Sequence, residues 1–290
     1  MSVSAAEVES ERLPPGSAEH RRLLADFFIT THRHYDPEDI AWPVLAKDEL
    51  ERLSRLPFWQ EAVSTENITS NTVTAAAALE PDTELRRAIE LQGLEEHRHA
   101  RLLATLTAHY GIQIEIPRPH TPVALEDEFL FAGFGECFDS FFAFGLFALA
   151  QESGVFPTAL VRVFEPVMQE EARHILFFVN WVKSRRAQLP WWKRSGFRIR
   201  CGWIILKQIA SRVKTARTLG GGANGGQISS DNFTLTAHQE VDTSITVHRL
   251  LEKCLMENER RLAPYDLRLS RPRLVPTLAR MMYRLLPDRI

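Results

Sequence analysis

Two short segments of this chain each place a glutamate and a histidine three residues apart. The first pair is Glu96 and His99, and the second is Glu171 and His174. On an α-helix such residues lie on one face, one turn apart, so each pair can bind the same metal ion. Both segments read E-E-x-R-H. The repeat predicts two similar helices that each carry a metal-ligand pair.

Each motif also predicts a glutamate on the helix that precedes it. A four-helix bundle that holds a pair of metal ions takes one further glutamate from each of the two helices without a motif. If the turn before the second motif lies between Ser153 and Pro157, an antiparallel neighbour of Glu171 presents its ligand near position 136. That residue is Glu136.

The same reflection in the first half of the chain points to Glu66. If the turn lies at 80–83, an antiparallel neighbour of Glu96 presents its ligand near position 66. Glu61 is an alternative ligand, because its distance of 35 residues from Glu96 equals the spacing found in the second half. With Glu66, the spacings of the two pairs are 96 − 66 = 30 and 171 − 136 = 35 residues, which are close, as expected for two halves of a pseudo-symmetric bundle.

The candidate helix at 125–151 is very apolar for a helix that carries a ligand. Eight phenylalanines fall between positions 129 and 147, and Glu136 and Asp139 are the only charged residues between Glu128 and Glu152. An ionised carboxylate buried among apolar side chains needs a partner, and a cation is the natural one. The length also suits a membrane span, but two acids inside such a span are costly. The composition favours a core helix.

The six residues resemble, in order and spacing, the ligand set of the ferritin-like di-iron carboxylate proteins. The order is Glu66, Glu96-x-x-His99, Glu136, Glu171-x-x-His174, and the resemblance covers residues 55–187. It implies an all-α fold with a ferritin-like four-helix bundle that holds two iron ions, with Mn2 or Mn-Fe as alternatives. It also implies O2 and an external electron donor as partners.

Charged residues next to the ligands predict an outer layer of the site. A metal-bound histidine usually donates its second nitrogen to a carboxylate or carbonyl group. Asp139 is the first candidate for that role, because it lies one turn from Glu136 on the same helix face. The residues that flank the ligands predict ion pairs between helices: Arg98, Arg173, Glu95 and Glu170. His97 is expected to point away from the metals.

The remainder of the chain predicts extra helices on both sides of the bundle. The expected divisions are a leader with short helices at 1–54, the bundle at 55–187, a basic amphipathic segment at 188–218, a glycine-rich linker at 219–230, and C-terminal helices at 231–290. The first 16 residues lack the apolar stretch of a secretory signal. Three cysteines without a CxxC spacing favour a reducing cytoplasm.

One segment concentrates the positive charge. Residues 183–217 carry eleven Lys or Arg and no Asp or Glu, so the remainder carries a net charge of −13 although the whole chain carries −2. The tryptophans and isoleucines of 190–217, together with the basic stretch 273–286, suggest docking to an anionic membrane surface or to an acidic carrier protein. The acidic body argues against nucleic acid. A cytoplasmic protein, peripheral to the inner membrane face, is expected.

The leading interpretation is an O2-activating non-haem di-iron oxidoreductase, of the monooxygenase, N-oxygenase or desaturase type. It would act on an apolar or carrier-bound small organic substrate next to the phenylalanine-rich helix, and it needs no catalytic residue beyond the metal ligands. Two alternatives remain at this point: a ferroxidase or other iron-handling ferritin-like protein, and a metal-free helical scaffold.

Overall fold

The computed structural model describes residues 13–56, 58–115, 120–154, 156–220 and 246–285. These residues form nine α-helices and two 3-10 turns, and no β-strand occurs among them. The helices are α1 Ala18–Thr31, α2 Lys47–Arg55, α3 Trp59–Ala76, α4 Thr83–His109, α5 Leu125–Ser153, α6 Thr158–Gln188, α7 Trp191–Gly220, α8 Val247–Leu262 and α9 Leu274–Leu285. The prediction of an all-α fold is confirmed.

Local sequence signals explain why the long helices begin and end where they do. The carboxylate of Asp82 accepts hydrogen bonds from the backbone N–H groups of Glu84 and Leu85, so it caps the start of α4. Gly154 ends α5 in the left-handed conformation, with φ of 71°, which glycine adopts at little steric cost. These short connections fold α3 back on α4 and α5 back on α6.

The long helices α3 to α6 pack together like a bundle, and the remaining helices cover it. Helix α1 packs on α4 and α6, α7 and α8 pack on α5 and α6, and α9 packs on α8 and α5. Much of the core is aromatic. Its largest fully buried side chains include Phe28, Phe129, Phe141, Phe144, Phe177 and Trp181.

Helix α5 is the one described helix long and apolar enough to cross a membrane, but the protein core covers most of it. Within its most apolar stretch, 61% of the helix is buried. Two of its glycines are sites of close approach. A Cβ atom at Gly133 would lie 2.2 Å from the ring of Phe178, and one at Gly145 would lie 2.4 Å from the Sγ of Cys254. Helix α5 is therefore built as a packing helix.

The basic amphipathic segment expected at 188–218 forms a single helix. This helix, α7, runs from Trp191 to Gly220. The first two residues of the predicted linker thus still belong to α7. The remainder of that linker, like the first twelve residues of the leader, lies outside the described residues.

The close approach of α5 and α8 can be tested with Gly145→Ala. The new Cβ would lie 2.8 Å from the backbone nitrogen of Cys254, and backbone cannot rotate out of the way. We expect the free energy of unfolding, measured by urea denaturation, to fall by about 1–3 kcal/mol.

The matched control is Gly202→Ala in α7, where nothing lies within 4 Å of the new atom. Alanine there should leave stability unchanged or raise it by up to about 1 kcal/mol, because alanine is the better helix former. Equal effects of the two substitutions would contradict the packing described for Gly145.

Candidate metal centre

The structure brings the six predicted ligand residues together from the four long helices. They form two groups, whose ligand atoms lie within 4.8 Å of one another in each case. The first group is Glu66, Glu96, His99 and Glu171, and the second is Glu96, Glu136 and His174. Glu96 belongs to both groups. The arrangement is compatible with a site for two metal ions.

The Nδ1 atoms of both histidines face the cluster. The Nδ1 of His99 lies 3.1 Å from Oε1 of Glu171 and 3.8 Å from Oε2 of Glu66. The Nδ1 of His174 lies 2.9 Å from Oε1 of Glu96 and 3.9 Å from Oε2 of Glu171. Glu66, and not the alternative Glu61, is the glutamate that α3 contributes to the cluster.

The second ring nitrogen of each histidine, Nε2, binds a carboxylate that belongs to the other motif. The Nε2 of His99 and Oε2 of Glu170 are 2.8 Å apart, and so are the Nε2 of His174 and Oε2 of Glu95. In each motif, the glutamate just before the ligand glutamate therefore holds the histidine of the other motif. In the neutral form of each ring, a hydrogen bond donated by Nε2 leaves the Nδ1 lone pair directed at the cluster.

The arginine of each motif also binds a glutamate of the other motif. Arg98 donates from Nη2 to Oε1 of Glu170 at 2.8 Å, and Arg173 forms an ion pair with Glu95. All four side chains are buried. These are the ion pairs between helices that the sequence predicts, and they neutralise the two outer carboxylates.

Asp139 has a different role from the one that the sequence suggests. Its carboxylate accepts a hydrogen bond of 2.6 Å from Nη2 of Arg212, on α7. The partners of the histidines are Glu95 and Glu170 instead. Asp139 lies on α5 where that helix faces Arg212 of α7, whereas the Nε2 atoms contact glutamates on α4 and α6. His97 is exposed, as expected for a residue that does not contact the metals.

A short segment at the end of α1 lies against the outer side of the cluster, and sequence reasoning did not identify it. The backbone carbonyl of Thr31 accepts a hydrogen bond from Arg173, and that of Arg33 accepts one from Arg98. His32 in the same segment contacts a carboxylate oxygen of Glu95. No local signal marks these residues, because each contact joins positions more than sixty residues apart.

Several ligand atoms in the cluster are buried without a hydrogen-bond partner. Among the described residues, these include both carboxylate oxygens of Glu136. The Nδ1 atoms of His99 and His174 also make no well-aligned hydrogen bond, although carboxylate oxygens lie 3.1 Å and 2.9 Å from them. Leaving such a group unsatisfied costs about 1–3 kcal/mol each, so native proteins rarely tolerate it. Cations among these atoms would satisfy them all. Mixed oxygen and imidazole donors suit iron or manganese, so the residues fit such a pair.

The acidity of the cluster follows from burial and crowding. Burial, reinforced by the negative charge of Glu96, holds the pKa values of Glu66 and Glu136 well above their ordinary range. Burial alone would lower the pKa values of His99 and His174, but the surrounding carboxylates raise both well above normal. Without metal the cluster therefore retains protons, and a metal ion bound there would displace them.

A cavity of about 660 Å³ lies against the cluster. Five of the six predicted ligand residues line it, and His174 does not. Apolar side chains form most of the remaining wall, among them Trp59, Leu102, Leu146, Phe147, Phe164 and Val167. The volume and the lining are those of a small-molecule site.

No protein-family model, curated protein or solved structure matches this chain. What the chain contains is a buried carboxylate and histidine cluster in an all-α bundle, next to an apolar cavity.

The carboxylate of Glu136 is buried without a partner, so we expect Glu136 to lower the stability of the metal-free protein. Glu136→Met keeps a similar volume and removes two unsatisfied oxygens. In the presence of a chelator, we expect the free energy of unfolding to rise by about 1–3 kcal/mol, as measured by urea denaturation.

Glu165→Met is the control, because Glu165 accepts hydrogen bonds from the buried Arg261 and from Arg260. Its loss leaves Arg261 less well paired, so stability should fall. A loss of stability in both variants would show that the Glu136 carboxylate has a partner after all.

Proposed function

We propose that this protein is an O2-activating di-iron oxidoreductase of the ferritin-like type, which oxidises an apolar small organic molecule. The observation that carries the proposal is the apolar cavity that ends on the ligand cluster. Ions alone do not require an apolar chamber of this size. An organic substrate next to the metals does.

The distances between the carboxylate oxygens and the histidine nitrogens support a role for each ligand residue. The two oxygens of Glu96 face different histidines, with Oε1 near His174 and Oε2 near His99. Glu171 is placed in the same way, with Oε1 near His99 and Oε2 near His174. Each of these two glutamates lies near both histidines and would therefore help to hold both ions. Glu66 groups with His99, and Glu136 groups with His174, so each would help to hold the ion at that histidine.

The charges of the site balance for two divalent ions. The four ligand glutamates carry four negative charges, while Glu95 and Glu170 are neutralised by Arg173 and Arg98. Two ferrous ions would supply the electrons that activate O2. The protein's own contribution is to orient the Nδ1 atoms, through the hydrogen bonds at Nε2, and to exclude water from the cavity.

Metal content tests the proposal directly. Expressed with iron, the wild type should contain about two iron ions per chain, the number that a paired carboxylate site holds. Glu171→Ala removes a carboxylate that lies near both histidines and should lose most of the metal, as elemental analysis would show. Glu61→Ala is the matched control on α3, and it should retain both ions.

The other outcomes separate the alternatives. Iron far above two per chain would indicate iron storage. Little metal in the wild type would indicate a scaffold and end the proposal. Loss of metal from Glu61→Ala would show that Glu61, and not Glu66, is the metal ligand on α3.

Cavity filling tests the substrate site separately from the metals. Ala143 lines the cavity, and Ala143→Phe would fill part of it while leaving every ligand in place. We expect two iron ions per chain and binding of an apolar fluorescent naphthalene dye that is weaker by about tenfold, or 1.4 kcal/mol.

The control is Ala143→Ser, which scarcely changes the volume and should bind the dye like wild type. Unchanged dye binding by Ala143→Phe would mean that the cavity is not the apolar site.

A further inference from the structure

Helix α7 carries an exposed apolar stripe along its outer face. Its members are Trp192, Ile199, Trp203, Leu206 and Val213, which are 43% to 73% exposed. At 3.6 residues per turn, they fall within roughly 80° of the helix circumference and extend along about 30 Å. The outer face of a helix on a soluble protein is normally polar.

Basic side chains border this stripe. Lys193, Arg198 and Lys207 are exposed, and no acidic side chain in the described part of the chain forms an ion pair with them. The nearby acids Glu126 and Asp127 are already paired with Arg200. The exposed half of α7 therefore presents apolar groups and unneutralised positive charge together.

The opposite face of α7 is fixed to the bundle. Gln208 donates to the backbone carbonyl of Phe131 at 2.7 Å, and Arg212 donates to that of Gly135 at 3.1 Å. Phe197 and Ile204 are buried in the core. The apolar stripe is thus the permanent outer surface of α7.

The cavity at the metal cluster opens next to this stripe. Trp203 and Lys207 line the cavity and are also exposed. Deeper lining residues, such as Leu102, are fully buried. A molecule that binds at the stripe therefore has a short route to the cluster.

We propose that the outer face of α7 binds an anionic membrane surface, and that the substrate is an apolar molecule that enters the cavity from the lipid. Interfacial helices insert their apolar face into the headgroup region, with Lys and Arg at the sides. Tryptophan concentrates at that boundary, and basic side chains bind anionic lipids. The acidic remainder of the protein orients this face toward the membrane. The substrate part of the inference rests on the proposed function, but the docking does not.

Vesicle flotation tests the docking. The protein should float with vesicles that contain phosphatidylserine at about 0.1 M salt, and much less so at about 1 M salt, where the Debye length is only about 3 Å. The triple variant Lys193→Ser, Arg198→Ser, Lys207→Ser should partition about a hundredfold more weakly, since each basic side chain contributes about fivefold.

The control triple variant Lys47→Ser, Arg55→Ser, Arg87→Ser removes the same charge from exposed positions elsewhere. It should float like wild type. Absence of binding to phosphatidylserine vesicles at low salt would overturn the docking and leave the face to an acidic protein partner. Equal losses in both triple variants would overturn it too, because charge alone would then explain binding.

Tryptophan fluorescence tests whether the outer face of α7 is the face that contacts the membrane. Brominated lipids quench tryptophan fluorescence at the membrane, so Trp203→Phe should remove part of the quenching and Trp42→Phe, on another face, should not. Quenching unaffected by Trp203→Phe would overturn entry from the lipid.

Glu171→Ala should float like wild type, because α7 does not depend on the metals. Flotation together with a lack of iron in wild type would refute the proposed function and leave the docking intact.

Discussion

The structure depends on the neutralisation of carboxylates inside a helical bundle. Six glutamates lie in and around one cluster: Glu66, Glu95, Glu96, Glu136, Glu170 and Glu171. Taking a charged group out of water is costly unless a partner compensates for it. Two arginines compensate the outer pair. The inner four, with imidazole nitrogens between them, have the charge and donor atoms that two divalent cations require.

This constraint explains why the motif contains more than its ligands. In E-E-x-R-H, the second glutamate and the histidine face the cluster. The first glutamate and the arginine reach across to the partner helix, to hold its histidine and its glutamate. Every charged position of the motif is therefore used. The two copies match because α4 and α6 perform the same task for each other.

Much of the site could be predicted from the sequence, because helical geometry converts spacing into position. Reflection through two turns located Glu66 and Glu136, both of which lie in the cluster. Two features could not be predicted in this way. Asp139 binds Arg212 of α7, a contact set by how α7 packs and not by any local pattern. Residues 31–35 reach the cluster from outside the bundle, and neither periodicity nor capping signals such a contact. The composition of the phenylalanine-rich α5 favours a core helix over a membrane span, and the burial of 61% of its most apolar stretch agrees with that prediction.

The crossed outer layer has a consequence for how the site assembles. Each histidine is oriented by a glutamate from the opposite half of the chain, so neither half holds a complete binding position by itself. For the proposed pair of metals, ordering one position also orders residues of the other. We therefore expect the two positions to fill cooperatively, as one thermodynamic unit. A change in one copy of the motif would then weaken the position that the other copy forms.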